Sequence, residues 1–200
     1  MSIDVNLIKE LRDRTGAGMM DCKAALTHTD NDMEKAKEYL RQKGIVSAEK
    51  KSGRTTKEGI IDSYIHQGSK IGVMVEVNCE TDFVARNEEF RTLVRDIAMQ
   101  IAGADPIPVY INRDDVPSDV LEKEKAIYAV QVKEAGKEKF LDKIVKGKLE
   151  TYYTKVCLME QTFIKEPSIS VKDYLKEKIA KIGENISIRR FVRFQLGEEL

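Results

Sequence analysis

Residues 71–80 constrain the fold more than any other stretch. Ile71, Val73, Val75, Val77 and Cys79 alternate with Gly72, Met74, Glu76, Asn78 and Glu80. Successive side chains of a strand point to opposite faces, so a period of two sets one apolar face against a core and leaves the other half-open. A helix would need apolar groups every three or four residues instead. Ile60 to His66 lie just upstream across Gln67-Gly68-Ser69-Lys70, which signals a β-hairpin. Downstream, Phe90, Leu93, Val94, Ile97 and Ile101 recur at helical spacing and predict an amphipathic helix over the sheet. Gly103-Ala104-Asp105-Pro106 ends it. Strands paired by a hairpin and then covered by a helix point to an α+β class.

The first 43 residues read as three short helices. Leu7, Ile8 and Leu11 mark the first, Cys22, Ala25 and Leu26 the second, and Met33, Ala36 and Leu40 the third. Between the first two, Gly16 or Gly18 supplies the left-handed residue that stops a helix. Asn31 with Glu34 three residues on is a helix-start signal, and Gly44 is the expected C-cap of the third helix. Residues 45–57, with Lys50-Lys51-Ser52-Gly53-Arg54, read as a solvated linker. The expected division is therefore 1–54, three helices and linker, and 55–200, an antiparallel sheet with helices. Within the latter, residues 118–156 predict a helical hairpin broken at Ala135-Gly136. Cys157 to Ile164 reads as a strand stopped by Pro167. Val171, Tyr174, Leu175, Ile179 and Ile182 mark a helix ended by Gly183. In the last strand Ile186, Ile188, Arg190, Val192, Phe194 and Leu196 share one face.

Composition narrows the function. Lys+Arg and Asp+Glu are both 34, a zero net charge that argues against a dedicated nucleic-acid binder, and no direct nucleic-acid contact is expected. Two histidines, His28 and His66, stand in no metal or nucleophile pattern, so no catalytic residue, cofactor or metal site is assigned. Cys22, Cys79 and Cys157 are far apart, which fits a reducing cytoplasm better than a disulfide framework. No apolar run approaches the roughly 18 residues of a membrane helix, and the start of the chain lacks the pattern of a signal peptide.

Two segments stand out as candidate sites. In Thr15-Gly16-Ala17-Gly18-Met19-Met20 no strand precedes the glycines and no Lys-Ser/Thr follows, so a phosphate loop is rejected. The paired methionines are either an adaptable contact surface or one core residue beside one exposed by chance. In Asn78 to Asn87, Thr81 and Asp82 can cap a helix. Phe83 is then either a staple folded into the core or, with Asp82, a protruding charge-plus-wedge used against a partner. Glu76, Glu80, Asp82, Glu88 and Glu89 around Arg86 read as a solvated acidic rim. Arg189, Arg190 and Arg193 are expected in salt bridges, and Cys79 in the core.

Leu11 to Leu26, containing Arg12-Asp13-Arg14-Thr15-Gly16-Ala17-Gly18-Met19-Met20, closely resembles the N-terminal signature of the translation elongation factor Ts family. Asn78 to Asn87, with Thr81-Asp82-Phe83-Val84, resembles its second signature, and Lys181-Ile182-Gly183-Glu184-Asn185-Ile186 to Phe194 its closing segment. The resemblance implies a guanine-nucleotide exchange factor for elongation factor Tu that catalyses no covalent change. It implies a ubiquitin-associated-like three-helix domain docking through Arg12, Met19 and Met20, and Thr81, Asp82, Phe83 and Val84 acting beside the partner's magnesium and phosphate loop. Only one hairpin-plus-helix unit is read between 58 and 104, where longer members have two, and a homodimer through the core domain could replace the missing surface. The competing class is an RNA- or ribosome-associated module using Lys50, Lys51, Arg54 and the C-terminal arginines.

Overall fold

The structure is a computed structural model and describes residues 4–198. Eight helices and five strands are found among them: α1 Val5–Thr15, α2 Met19–His28, α3 Met33–Lys51, β1 Glu58–Ile65, β2 Ile71–Cys79, α4 Asp82–Ala85 and α5 Glu88–Gly103 come first. α6 Ser118–Glu134, α7 Leu141–Val156, β3 Thr162–Phe163, β4 Glu166–Ser170, α8 Val171–Ile182 and β5 Ile186–Gln195 follow. This is the mixed α and β architecture expected from the sequence. One compact unit takes in the residues up to Ile60 with Asn78–Leu93 and Leu175–Ser187; the other takes in Ile61–Val77, Val94–Tyr174 and the chain from Ile188.

The N-terminal helices form their own core, in which Ile8 and Leu11 of α1 meet Cys22, Ala25 and Leu26 of α2 and Ala36 and Leu40 of α3. Asp4 caps α1, its carboxylate accepting from the Asn6 N–H at 2.9 Å. Gly16, at φ 69°, ends the helix and donates its N–H to the Arg12 carbonyl. α3 departs from expectation at both ends. Its cap is Asp32, which accepts from the Lys35 N–H at 3.0 Å, while Asn31 lies in the turn at φ 65°. Gly44 is no cap: α3 runs on to Lys51, so residues 45–51 are helix and not linker. A Cβ at residue 44 would stand 3.1 Å from the Ala180 Cβ of α8. This glycine is a point of close helix approach, and the packing it permits offsets the roughly 1 kcal/mol that glycine costs inside a helix.

The main sheet has the order β1-β2-β5, with the alternating segment at its centre. Val73, Val75, Val77 and Cys79 are buried as the period of two required. The Leu196 N–H donates to the Lys70 carbonyl, so the end of β5 meets the start of β2 and the two run antiparallel. β5 differs from the reading in one respect. Ile186 and Ile188 are buried, Arg189 and Arg190 are both exposed, and Val192 and Phe194 are exposed in turn. Burial along the face read from the sequence therefore stops after Ile188, and from Arg190 onward that face is open to water.

On α5, Phe90, Leu93, Val94, Ile97 and Ile101 are fully buried. α6 and α7 form the expected hairpin, turned by Gly136 at φ 65°. The strand expected from Cys157 to Ile164 is not formed. Cys157 makes an isolated bridge to Tyr110, Leu158–Glu160 is a 3-10 turn, and only Thr162–Phe163 is extended. Gln161 explains the interruption: its amide donates to the carbonyls of Pro106 at 2.8 Å and Lys155 at 3.1 Å, pulling the chain out of a straight strand. Pro167 does not stop a strand but lies within β4, which pairs antiparallel with β3 in a two-stranded ribbon. A strand with an unpaired edge tolerates the missing N–H. Among the described residues no helix is long and apolar enough to cross a membrane.

Candidate partner-binding site

α4 is a single turn, started by Thr81. This residue is extended (φ −127°, ψ 155°), and its hydroxyl accepts from the Val84 N–H at 3.4 Å. The capping role read from sequence is thus present. The staple is not. Ala85 is the α4 residue that is buried, whereas Phe83 is 80% exposed. A one-turn helix anchored through Ala85 has no way of turning Phe83 inward as well. Asp82 lies beside it in an exposed ion pair with Arg86 at 3.0 Å.

The turn is fixed from the far end of the sequence. α8 stops at Gly183 (φ 93°), and the next residue, Glu184, reaches the backbone in front of α4. One carboxylate oxygen accepts from the N–H groups of Glu80 at 3.1 Å and Thr81 at 3.0 Å; the other accepts from the Thr81 hydroxyl at 2.6 Å. In return the Asn185 N–H donates to the Glu80 carboxylate at 2.6 Å, which also pairs with Arg54 at 3.4 Å. The Asn185 side-chain amide donates to the carbonyls of Ser52 (3.3 Å) and Arg54 (2.7 Å). Sequence reading placed Glu184 only inside a signature segment. It is 103 residues from Thr81, and no local pattern gives such a pairing away.

Arg12, Met19 and Met20 flank the Gly16–Gly18 turn. Cys22 and Ala25 turn into the bundle, while Met20 is 75% and Met19 38% exposed, so neither methionine is a core residue. Arg12 is exposed in the last turn of α1. Lys181 of α8 lies against Gly16 where a side chain would otherwise sit, and its ammonium reaches Glu89 at 2.6 Å. Lys178 reaches the same carboxylate at 3.1 Å. α8 thus touches both the loop between Arg12 and Met19 and the helix that follows Phe83.

The acidic rim is more fully paired than expected. Burial works against the Glu89 carboxylate, but the hydrogen bonds from Lys181 and Lys178 outweigh it and hold its pKa below the usual value. Of the C-terminal arginines expected in salt bridges, Arg190 pairs with Glu76 at 2.7 Å, whereas Arg193 donates to the Gln195 side-chain oxygen at 3.0 Å. Cys79 is core. Burial, with the Glu184 charge second, pushes its pKa up to about 11, so the thiol stays protonated and inert. Among the described residues no three His, Cys, Asp or Glu side chains are placed to hold a metal.

Phe83, Met19 and Met20 are thus apolar side chains left in water at or near the starts of short helices. Comparison with known proteins gives the family. The family model described as "Elongation factor TS" matches residues 22–198. The chain is 59% identical over 199 residues to the elongation factor Ts of Carboxydothermus hydrogenoformans, covering 99% of this chain and 91% of that protein. It is 57% identical over 198 residues to that of Thermodesulfovibrio yellowstonii, covering 99% and 98%. It is 56% identical over 198 residues to that of Desulfosudis oleivorans, covering 98% and 99%. The chain belongs to the elongation factor Ts family.

Proposed function

We propose that this protein is a guanine-nucleotide exchange factor for elongation factor Tu. It acts in the cytoplasm during translation elongation and makes or breaks no covalent bond. The observation that carries the reading is Phe83, a large apolar side chain 80% exposed on a turn fixed at its base. In this reading residues 1–54 form a ubiquitin-associated-like unit that docks on the partner through Arg12, Met19 and Met20. Residues 55–200 form the core that presents Thr81, Asp82, Phe83 and Val84. Phe83 inserts beside the partner's magnesium and phosphate loop, with Asp82 bringing a negative charge to the same place. Both disturb contacts that hold GDP.

The energetics are those of linkage. A factor that lowers nucleotide affinity must be bound less tightly when nucleotide is present, by the same ratio. Removing ~4 kcal/mol of magnesium and phosphate-loop interaction from the bound state speeds release roughly a thousandfold. Rebinding of GTP then expels the factor.

We also infer a homodimer through the core. Ile61 and Ile65 of β1, Met74 of β2, and Val192, Phe194 and Leu196 are all exposed. They share one sheet face: Met74 points away from the buried Val73 and Val75, Glu76 pairs with Arg190, and Ile65 lies over Gly72. A second copy covering this face would bury apolar area that a monomer leaves in water.

Release of a fluorescent GDP analogue from elongation factor Tu, followed by stopped flow with excess unlabelled nucleotide and varied free magnesium, tests the exchange reading. Acceleration that saturates with factor and shrinks as magnesium rises is expected. Release at the spontaneous rate, with folded factor and a competent partner, sinks it.

A further inference from the structure

The exposed pair Asp82–Phe83 sits on a helix too short to hold itself. One turn of α-helix is not a stable structure in water, because nucleation fixes several dihedrals for one hydrogen bond. Ala85 alone of α4 is buried, and the Asp82–Arg86 ion pair is exposed and fixes little. The direction in which Phe83 points is therefore decided by the backbone that feeds α4, residues 80 and 81.

That backbone is held by one carboxylate. Both oxygens of Glu184 are engaged, on two consecutive N–H groups and on the hydroxyl that caps α4. Hydrogen bonds to an ionised acceptor are the stronger kind, and three from one group fix an orientation as well as a distance. The next residue, Asn185, grips Glu80 from the same side.

We propose that Glu184 is a positioning residue for nucleotide exchange: through Thr81 it fixes α4 so that Phe83 is presented in its inserting direction before the partner arrives. The proposal rests on the exchange-factor reading above and deepens it. Glu184 acts through the backbone of Glu80 and Thr81. Its contribution is preorganisation, which spares the already docked complex the cost of ordering the wedge when it inserts. The consequence is a specific kinetic signature. The N-terminal unit still docks without Glu184, so partner affinity is kept, whereas the bound state distorts the nucleotide site less often.

Glu184→Gln in the full chain tests this, because the glutamine keeps the shape but removes the charge, weakening the bonds from the Glu80 and Thr81 N–H groups and forcing the Thr81 hydroxyl from donor to acceptor. Two readouts are taken. Amide hydrogen exchange by NMR is expected to lose protection at Glu80 and Thr81 while the amides of Val75 and Ile97 keep theirs. Stopped-flow GDP release from elongation factor Tu is expected to show a maximal rate about tenfold lower, as the loss of charge-assisted hydrogen bonds implies, with half-saturation within about twofold of wild type. In a Phe83→Ala background the same change is expected to add less than about twofold, since both act through one wedge. Unchanged protection at residues 80 and 81, an unchanged maximal rate, or a full tenfold loss on top of Phe83→Ala overturns the role. So does lost protection throughout the unit, which marks general destabilisation. A wild-type chain that fails to accelerate release overturns the exchange reading and this role with it, whereas equal acceleration by wild type and variant overturns this role alone.

Discussion

Phe83→Ala separates binding from folding because the side chain is already mostly in water. Full burial of a phenylalanine is worth roughly 1.5–3 kcal/mol, and with 80% of the residue exposed in the free protein about 1.2–2.4 kcal/mol of that remains to be gained against a partner. At 1.36 kcal/mol per decade this is an ~8- to 60-fold slower maximal GDP release, if the gain is realised when the nucleotide site is distorted. The remaining fifth supports the fold with only ~0.3–0.6 kcal/mol, a fall in Tm of under about 2.5 °C for a chain of this size. A staple folded into the core would behave in the opposite way, since Phe→Ala in a core costs ~3–5 kcal/mol. Stopped-flow release of fluorescent GDP and calorimetric melting of the same preparation read the two quantities. A melting point more than about 5 °C lower, or a release rate equal to wild type, refutes the assignment of Phe83 as an exposed wedge.

Other consequences are open to direct measurement. Gly44→Val forces side-chain atoms into the 3.1 Å approach of α3 to Ala180 and is expected to cost ~1–3 kcal/mol by urea unfolding. Adding Ala180→Gly should recover part of it, and a Gly44→Val variant as stable as wild type would show the approach to be slack. Glu89 has its folded pKa held below the usual 4.5, so its stabilisation is complete above that value and fades as pH falls through the folded pKa. The stability gap between wild type and Glu89→Gln should be constant from about pH 7 to 5.5 and close toward pH 3; a gap that widens on acidification contradicts the pairing with Lys178 and Lys181. Phe194→Glu places a charge in the exposed sheet face and should convert a dimer to a monomer by light scattering, with melting of the monomer little changed. A wild-type chain already monomeric at high concentration removes the homodimer.

Elements set by short-range rules were legible in the sequence. The period of two in β2 and the three- to four-residue spacing in α1, α2 and α5 each placed the correct residues in a core, because burial acts on the repeat itself. Glycine was harder to read. Gly16 and Gly183 are true left-handed stops, at φ 69° and 93°, whereas Gly44 is helical and serves the approach of a neighbour 136 residues away. The same residue type answers two different needs, and only the partner tells them apart. The exposure of Val192 and Phe194 was not legible, because which end of a strand lies under a helix depends on distant parts of the chain. Of the candidate site, the exposed methionines and the Thr81 cap were visible as residue types. The outward turn of Phe83 was one of two readings, decided by the burial of Ala85. Glu184 was invisible as a support, since its hydrogen bonds join distant parts of the chain.

That distance has a consequence during synthesis. The Asp82–Phe83 turn leaves the ribosome well before the residue that fixes it, for Glu80 and Glu184 are 104 positions apart. At about 5–20 residues per second this is a delay of roughly 5–20 s. Throughout it the nascent chain carries the Phe83 turn without its Glu184 hydrogen bonds, and β2 with no β5 beside it. A product cut short before Glu184 would keep Leu11–Leu26 and Asn78–Asn87 and still lack the hydrogen bonds that hold the Phe83 turn.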